Sequence, residues 1–426
     1  MKKWIKKNKT DLTLPALPIR TAMKTSHDLL STAIEIREQL ASESRRLLFF
    51  FGAGTSMAVG LPGVIALTKQ IAEALQEPQK EQFGKLQKEL PKNANVETIL
   101  DRLRTLRQLI GDDHAKKYDG LKRADAEKLD AAICQAISEA VRKPAPKGMV
   151  PHQTFSQWLR ALHSRREWPV EIFTTNYDLF FEQTMEHFGV PYFDGFVGSV
   201  EAFFAPESVE ADGAKYDEIA YPPRAWTRLW KLHGSVNWRF QQDTKTSRSR
   251  IFRAASSECK AGEELAIFPS RDKYSQSRKL PFLALQDRFR HSLLRGESLL
   301  VLLGYSFSDQ HLNEIIFQGL RSNPHLAVIV LLFEDIEEVY SYGIEYRNLS
   351  IYGPKKACIG GITGSWSEPQ KPKQEWPFWD GSDKKFFLGD FNQFAKYLET
   401  FIGFRPIVPL DSSETKAPTP EPKPGA

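Results

Sequence analysis

Residues 47–63 read LLFFFGAGTSMAVGLPG. Five apolar residues, Leu47 to Phe51, run straight into Gly52, Ala53, Gly54, Thr55 and Ser56, and a helical spacing follows through Leu67, Ile71 and Leu75. A short, continuous apolar run ending in a glycine turn and a helix is the pattern of a parallel strand buried on both faces. Glycines at such a turn allow close backbone approach and expose N–H groups at a helix start, where an anion such as a pyrophosphate is favoured. The spacing departs from the dinucleotide fingerprint Gly-x-Gly-x-x-Gly, because Met57 holds the third position and no acidic residue ends a second strand at the usual distance. A turn without a ligand fits the same residues.

Three further stretches share the form of an apolar strand with a polar tail. They are VEIFTTNYD at 170–178, LWKLHGS at 229–235 and LLVLLGYSFSD at 299–309. In an open parallel sheet, ligands sit beyond the carboxyl ends of strands, so four such tails are expected to meet at one crevice. The fold class expected is α/β, a Rossmann-like parallel sheet flanked by helices.

GAGTS, TTNYD, KLHGS and GYSFSD, in that order over residues 45–335, resemble the sirtuin-type NAD-binding domain. The closest resemblance is to the sirtuin-like (SIR2-type) NAD hydrolases of prokaryotic antiphage defence. It implies a site that binds NAD and cleaves its nicotinamide–ribose bond, with NAD as substrate and no other cofactor. The departing pyridine already carries positive charge, so the chemical demand falls on a ribose that becomes oxocarbenium-like, with a base near a hydroxyl or the attacking water.

His233 suits that base, since imidazole titrates near neutrality, although a lone histidine has a structural alternative. Asn176 both donates and accepts, which suits orienting a ribose hydroxyl, a water or the carboxamide. Asp178 either opposes developing positive charge or caps the following helix. The resemblance carries catalytic roles onto Asn176, His233 and Asp178. It places Gly52, Ala53, Gly54 and Ser56 around the phosphates, Gly304 and Ser306 near the adenosine, and Thr175 at the strand end. Asp309 is expected as a helix N-cap.

Two departures argue against protein deacylation. Sirtuin deacylases continue the glycine loop with Pro-Asp-Phe-Arg, whereas this chain has Pro62-Gly63-Val64-Ile65. They also carry a four-cysteine zinc ribbon, whereas Cys134, Cys259 and Cys358 are far apart and form no C-x-x-C pair, so neither a zinc ribbon nor a disulfide framework is expected. Water then becomes the acceptor, giving nicotinamide and ADP-ribose. The resemblance further implies an NAD-depleting effector of abortive infection, a homo-oligomer, and a HerA-type hexameric ATPase as partner. An NAD or ADP-ribose sensor or an assembly subunit, without turnover, is the alternative.

The rest of the chain frames these motifs. Its 426 residues are 26% charged and 41% hydrophobic, with 58 Lys and Arg against 53 Asp and Glu, and its mean hydropathy is −0.41. A net charge of +5 over this length is too small to argue for nucleic-acid binding by itself, so nucleic acid is expected only indirectly if at all, and a structural or nucleic-acid-associated subunit using the basic arm and the Arg/Lys-rich 247–253 loop is a rival reading. No apolar run approaches the roughly 18–20 residues that span a membrane, and the cysteine usage fits a reducing cytoplasm. Residues 1–24 read as an arm and 25–335 as the NAD-binding domain, with a helical insertion at about 80–150. Residues 336–410 form a C-terminal region and 411–426 a disordered tail. The stretches 191–227 and 241–279 read as lids or assembly contacts.

Overall fold

The apolar run forms the strand Arg46–Phe51, and its alternation divides two cores between the faces of one sheet. Leu48 and Phe50 point into a cluster with Phe173, Trp230, Phe289 and Leu300. Leu47, Phe49 and Phe51 point into another with Phe155, Trp158, Phe181 and Phe394. None of the five is more than 1% exposed, which is why no polar residue interrupts the run. Each buried Phe contributes about 1.5–3 kcal/mol, and ring contacts such as Phe51 on Phe181, at 4.9 Å, add to it.

The computed structural model describes residues 25–91, 94–111, 113, 115–142, 151–162, 165–210, 222–242, 249–254, 263–267, 276–367 and 376–402. The arm at 1–24, the tail at 411–426 and Cys259 lie outside these residues, as does Arg248 of the 247–253 loop.

Among the described residues the main sheet has ten strands. From one edge they run Ser26–Asp28, Ile362–Ser367, Lys356–Ile359, Leu349–Tyr352, Leu326–Leu331, Ser298–Leu303, Arg46–Phe51, Glu171–Thr174, Thr227–Lys231 and Tyr192–Phe193. Pairing is parallel from Leu349–Tyr352 to Tyr192–Phe193. Antiparallel pairs join Lys356–Ile359 to its two neighbours. The register sets Phe51 beside Thr174 and Leu303, and Thr174 beside Lys231, so the strands carrying the four polar tails end level with one another. The sheet continues past residue 335, and the helix Phe391–Glu399 packs Phe391, Phe394 and Leu398 onto the same core as Phe49.

Residues 64–141 supply the helices Val64–Ala74, Gln79–Glu89, Val96–Ile110 and Arg123–Val141 around a third core. Asn95 caps the third of these helices, accepting from Thr98 N–H at 3.0 Å. Inside, Arg104 binds both oxygens of Asp130 at 3.0 Å and Arg107 adds a third contact at 2.8 Å. Burial pushes the Asp130 carboxyl up, but these guanidinium groups outweigh it and hold it at about 2. The third core also takes in Tyr177, Phe180 and Val236, which seats the insertion against the polar tails.

A second, antiparallel sheet of five strands is a feature not expected from the sequence. It uses Phe196–Val197, Ala202–Phe204, Gly234–Gln242, Ser249–Arg253 and Glu263–Ile267. Its longest strand starts at the residue after His233, so the histidine sits at a corner between two sheets. Gly234 makes that corner with φ of +86°.

Candidate active site

The glycine turn is fitted to the turn that ends Ser298–Leu303. Gly52 N–H donates to Leu303 O and Gly54 N–H to Gly304 O, both at 3.0 Å, and Thr55 N–H donates to Gly52 O at 3.1 Å. A Cβ on Gly52 would lie 2.4 Å from Gly304 O, and one on Gly54 2.6 Å from Gly304 Cα. Gly304 itself has φ of +67°. These glycines are demanded by one backbone lying on another, and three of the turn's N–H groups are spent inside the fold. Ala53 is exposed at the head of the short helix Ala53–Met57.

The asparagine tail closes over that turn. Thr174 Oγ1 donates to Phe51 O at 2.9 Å and accepts from Asn176 N–H at 3.1 Å. Asn176, 7% exposed, donates through Nδ2 to Gly52 O at 3.1 Å and to Thr55 Oγ1 at 2.9 Å. Its amide is therefore fixed with the carbonyl oxygen turned away from the glycine turn. Thr175 is half-buried and donates its N–H to Phe51 O at 3.3 Å.

Asp178 is buried, and both of its oxygens are engaged. One accepts from Ser56 Oγ at 2.5 Å and the other from Phe180 N–H at 3.1 Å, at the start of the helix Phe180–His187. The N-cap position of that helix is Leu179, and the bond from Ser56 to Asp178 ties the glycine turn to the asparagine tail. Ser306 stands apart. It is exposed, and its hydroxyl meets Ser308 Oγ at 3.2 Å.

Below the corner, Lys231 is 2% exposed. Its Nζ pairs with Glu182 Oε1 at 2.9 Å and donates to Asp178 O and, at 3.3 Å, to Ser235 Oγ. Burial raises the Glu182 carboxyl, and Lys231 only partly offsets this. Lys231 thereby ties the asparagine tail, through Asp178 O, to its own strand end, a contact not expected from the sequence, because a lysine inside an apolar strand reads as part of the strand.

His233 lies between two carboxylates. Its Nε2 is 3.2 Å from Asp309 Oδ2, and its Nδ1 is 3.9 Å from Glu97 Oε1. Glu97 comes from the first turn of Val96–Ile110 in the insertion and also accepts from Tyr177 Oη at 2.6 Å. Burial and the Glu97 carboxylate push the Tyr177 hydroxyl well above its ordinary value, so it stays protonated and donates. Asp309 is the expected N-cap, accepting from His311 and Leu312 N–H, and it is also the partner of His233. Burial pushes its carboxyl up, but the His233 bond and the two helix N–H bonds outweigh that and leave it lowered.

Contacts thus join Gly52, Gly54, Ser56, Asn176, Asp178 and Gly304 at the carboxyl ends of the strands, and His233 lies at the end of the next strand between Asp309 and Glu97. Sequence reasoning missed Glu97 and gave Asp309 half of its role. Among the described residues no group of His, Cys, Asp and Glu is arranged to hold a metal ion, and no helix is long and apolar enough to cross a membrane.

The profile of the SIR2-like domain family matches residues 170–352, which include the asparagine, histidine and GYSFSD tails. SIR2-like domains use NAD as a substrate. No curated protein matches the chain. Among the solved structures that resemble it are two Sir2 proteins. One, from work on the mechanism and regulation of Sir2 enzymes, is 10% identical, covers 72% of this chain and 87% of its own, and has a TM-score of 0.33. The other, a Sir2 homologue mutant in complex with ADP-ribose, is 12% identical, covers 86% and 96%, and has a TM-score of 0.34.

Proposed function

We propose that this protein is an NAD hydrolase that cleaves the nicotinamide–ribose bond and releases nicotinamide and ADP-ribose. The observation that carries this reading is the corner at His233, where a 4% exposed imidazole sits between the carboxylates of Glu97 and Asp309, beside the asparagine tail and the glycine turn. NAD lies across the glycine turn, with its phosphates near Gly52, Ala53, Gly54 and Ser56 and its adenosine toward Gly304 and Ser306, and with Thr175 lining the strand end. Asn176 orients a ribose hydroxyl or the attacking water through its carbonyl oxygen, since its NH2 is committed to the turn. His233 takes the proton that the attacking oxygen loses. Asp178 adds its negative charge from beneath while holding Ser56 in place.

The chain, divided into an arm, an NAD-binding domain with a helical insertion, a C-terminal region and a tail, acts in the cytoplasm as a homo-oligomeric effector of antiphage abortive infection, gated by a HerA-type hexameric ATPase. Gating is required because free-running NAD hydrolysis would kill the host.

A second reading, an NAD or ADP-ribose sensor without turnover, is favoured by one observation: Asn176 and Asp178 both spend hydrogen bonds inside the fold. Purified full-length protein is incubated with NAD, alone and with the ATPase, and nicotinamide is followed by chromatography. Release by wild type, lost in His233→Ala and in Asn176→Ala, is the expected result. NAD binding with no release in either condition replaces the hydrolase by the sensor.

A further inference from the structure

We propose that Asp309 is a positioning residue that holds the His233 ring with its proton on Nε2 and its lone pair on Nδ1, on the Glu97 side. The inference rests on the hydrolase reading for its chemical consequence and on geometry for the rest.

Asp309 divides its two oxygens between two tasks. Oδ1 accepts from His311 N–H at 2.9 Å and Leu312 N–H at 3.2 Å, which caps the helix Gln310–Ser322. Oδ2 faces His233 Nε2 at 3.2 Å. The carboxylate cannot swing between these tasks, because its backbone is held as well: Asp309 O accepts from Asn313 N–H at 3.0 Å and from Tyr305 Oη at 3.2 Å. A carboxylate only accepts, so the contact is a hydrogen bond when Nε2 carries the hydrogen, and a neutral imidazole carries one. The basic lone pair is then on Nδ1.

On that side stands Glu97 Oε1, 3.9 Å away and already accepting from Tyr177 Oη. When water attacks the ribose carbon, its O–H bond breaks and the proton passes to the imidazole. The electron pair of the carbon–nitrogen bond leaves on nicotinamide, which departs neutral. The imidazolium that results lies between the carboxylates of Glu97 and Asp309. Asp309 acts through His233, and Glu97, brought by the helical insertion, supports the charged ring from the other face.

The division of labour at Asp309 gives a clean variant. Asp309→Asn keeps an oxygen for the helix cap and puts an NH2 opposite Nε2, which disfavours a hydrogen there. The full chain is labelled with 15N-histidine, and His233 is identified in long-range proton–nitrogen spectra by its loss in His233→Gln. The expected result is the Nε2–H tautomer in wild type and the Nδ1–H tautomer in Asp309→Asn. In the kinetic arm, kcat for nicotinamide release falls about 10³- to 10⁴-fold, as a wrong tautomer does in a hydrogen-bonded triad, while KM moves by less than about threefold. Glu97→Gln falls about tenfold, since it removes support of the charged ring and leaves the tautomer in place.

A wild-type ring protonated on Nδ1 overturns the proposal, as does an Asp309→Asn ring that keeps its hydrogen on Nε2. The tautomer switch in a protein that never releases nicotinamide leaves Asp309 as the ring-positioning residue and overturns the hydrolase reading alone.

Discussion

At the amino ends of the central strands, Glu171 is 2% exposed and both of its oxygens are occupied. Arg288 binds it twice, at 2.8 and 2.9 Å, Trp230 Nε1 donates at 2.9 Å, and Ser292 Oγ lies at 3.2 Å. At the carboxyl ends, His233 is buried nearly as deeply, but its two carboxylate neighbours have side chains 27% exposed and stand at unequal distances. One end saturates its charge with donors and fixes the strands in place. The other holds a titratable ring in position with solvent-reachable partners beside it. Equal burial therefore says little about use, and the difference lies in whether hydrogen-bonding capacity has been exhausted.

The sharpest way to break this comparison is to remove the central group at each end. His233→Ala is expected to lower nicotinamide release by about 10³-fold or more, roughly 4 kcal/mol of barrier, with little change in denaturant midpoint. A variant that lost stability to a similar extent would make the two ends alike. Arg288→Leu is expected to do the reverse, costing about 3–5 kcal/mol because Glu171 is left buried without its cation, while NAD binding per folded molecule stays as in wild type. Urea titration and calorimetry with NAD read these two quantities separately.

A smaller effect comes from His152, which packs against Phe180, Phe181 and Phe391, with neither ring nitrogen hydrogen-bonded among the described residues. Burial lowers it to about 4 from an ordinary 6.5. The unfolded chain therefore binds the proton first as the solution is acidified. Stability falls between about pH 6.5 and pH 4, by about 3 kcal/mol in all. His152→Phe should lose that limb of the pH–stability curve, and an unchanged curve would show that the ring is protonated in the fold.

The four tails were legible because a strand buried on both faces must be apolar throughout, and the polar residues that end it stand out. The insertion's helices were legible from apolar positions such as Ile99, Leu103 and Leu106, at helical spacing. Glu97 was not, since docking of a helix end against a distant histidine leaves no local trace; it reads as an ordinary acidic residue in a first turn. The second sheet was hidden differently. Val236, Trp238 and Phe240 alternate with polar residues and are buried, yet the strand begins at Gly234, inside the histidine motif, whose polar end masks it. In the same way Asp309 carried one visible signature, the cap, which masked its second contact.

The pairing of Ser26–Asp28 with residues 365–367, and the bond from Tyr397 Oη to Ala33 O, set a timetable for synthesis. The crevice draws on residues from 52 to 309, and the sheet that supports it is closed by segments still further along the chain. Contacts this distant in sequence form late and slowly. A growing chain therefore cannot assemble the crevice before residue 309 has left the ribosome, and a truncated product of premature termination carries the glycine turn without the histidine's partner.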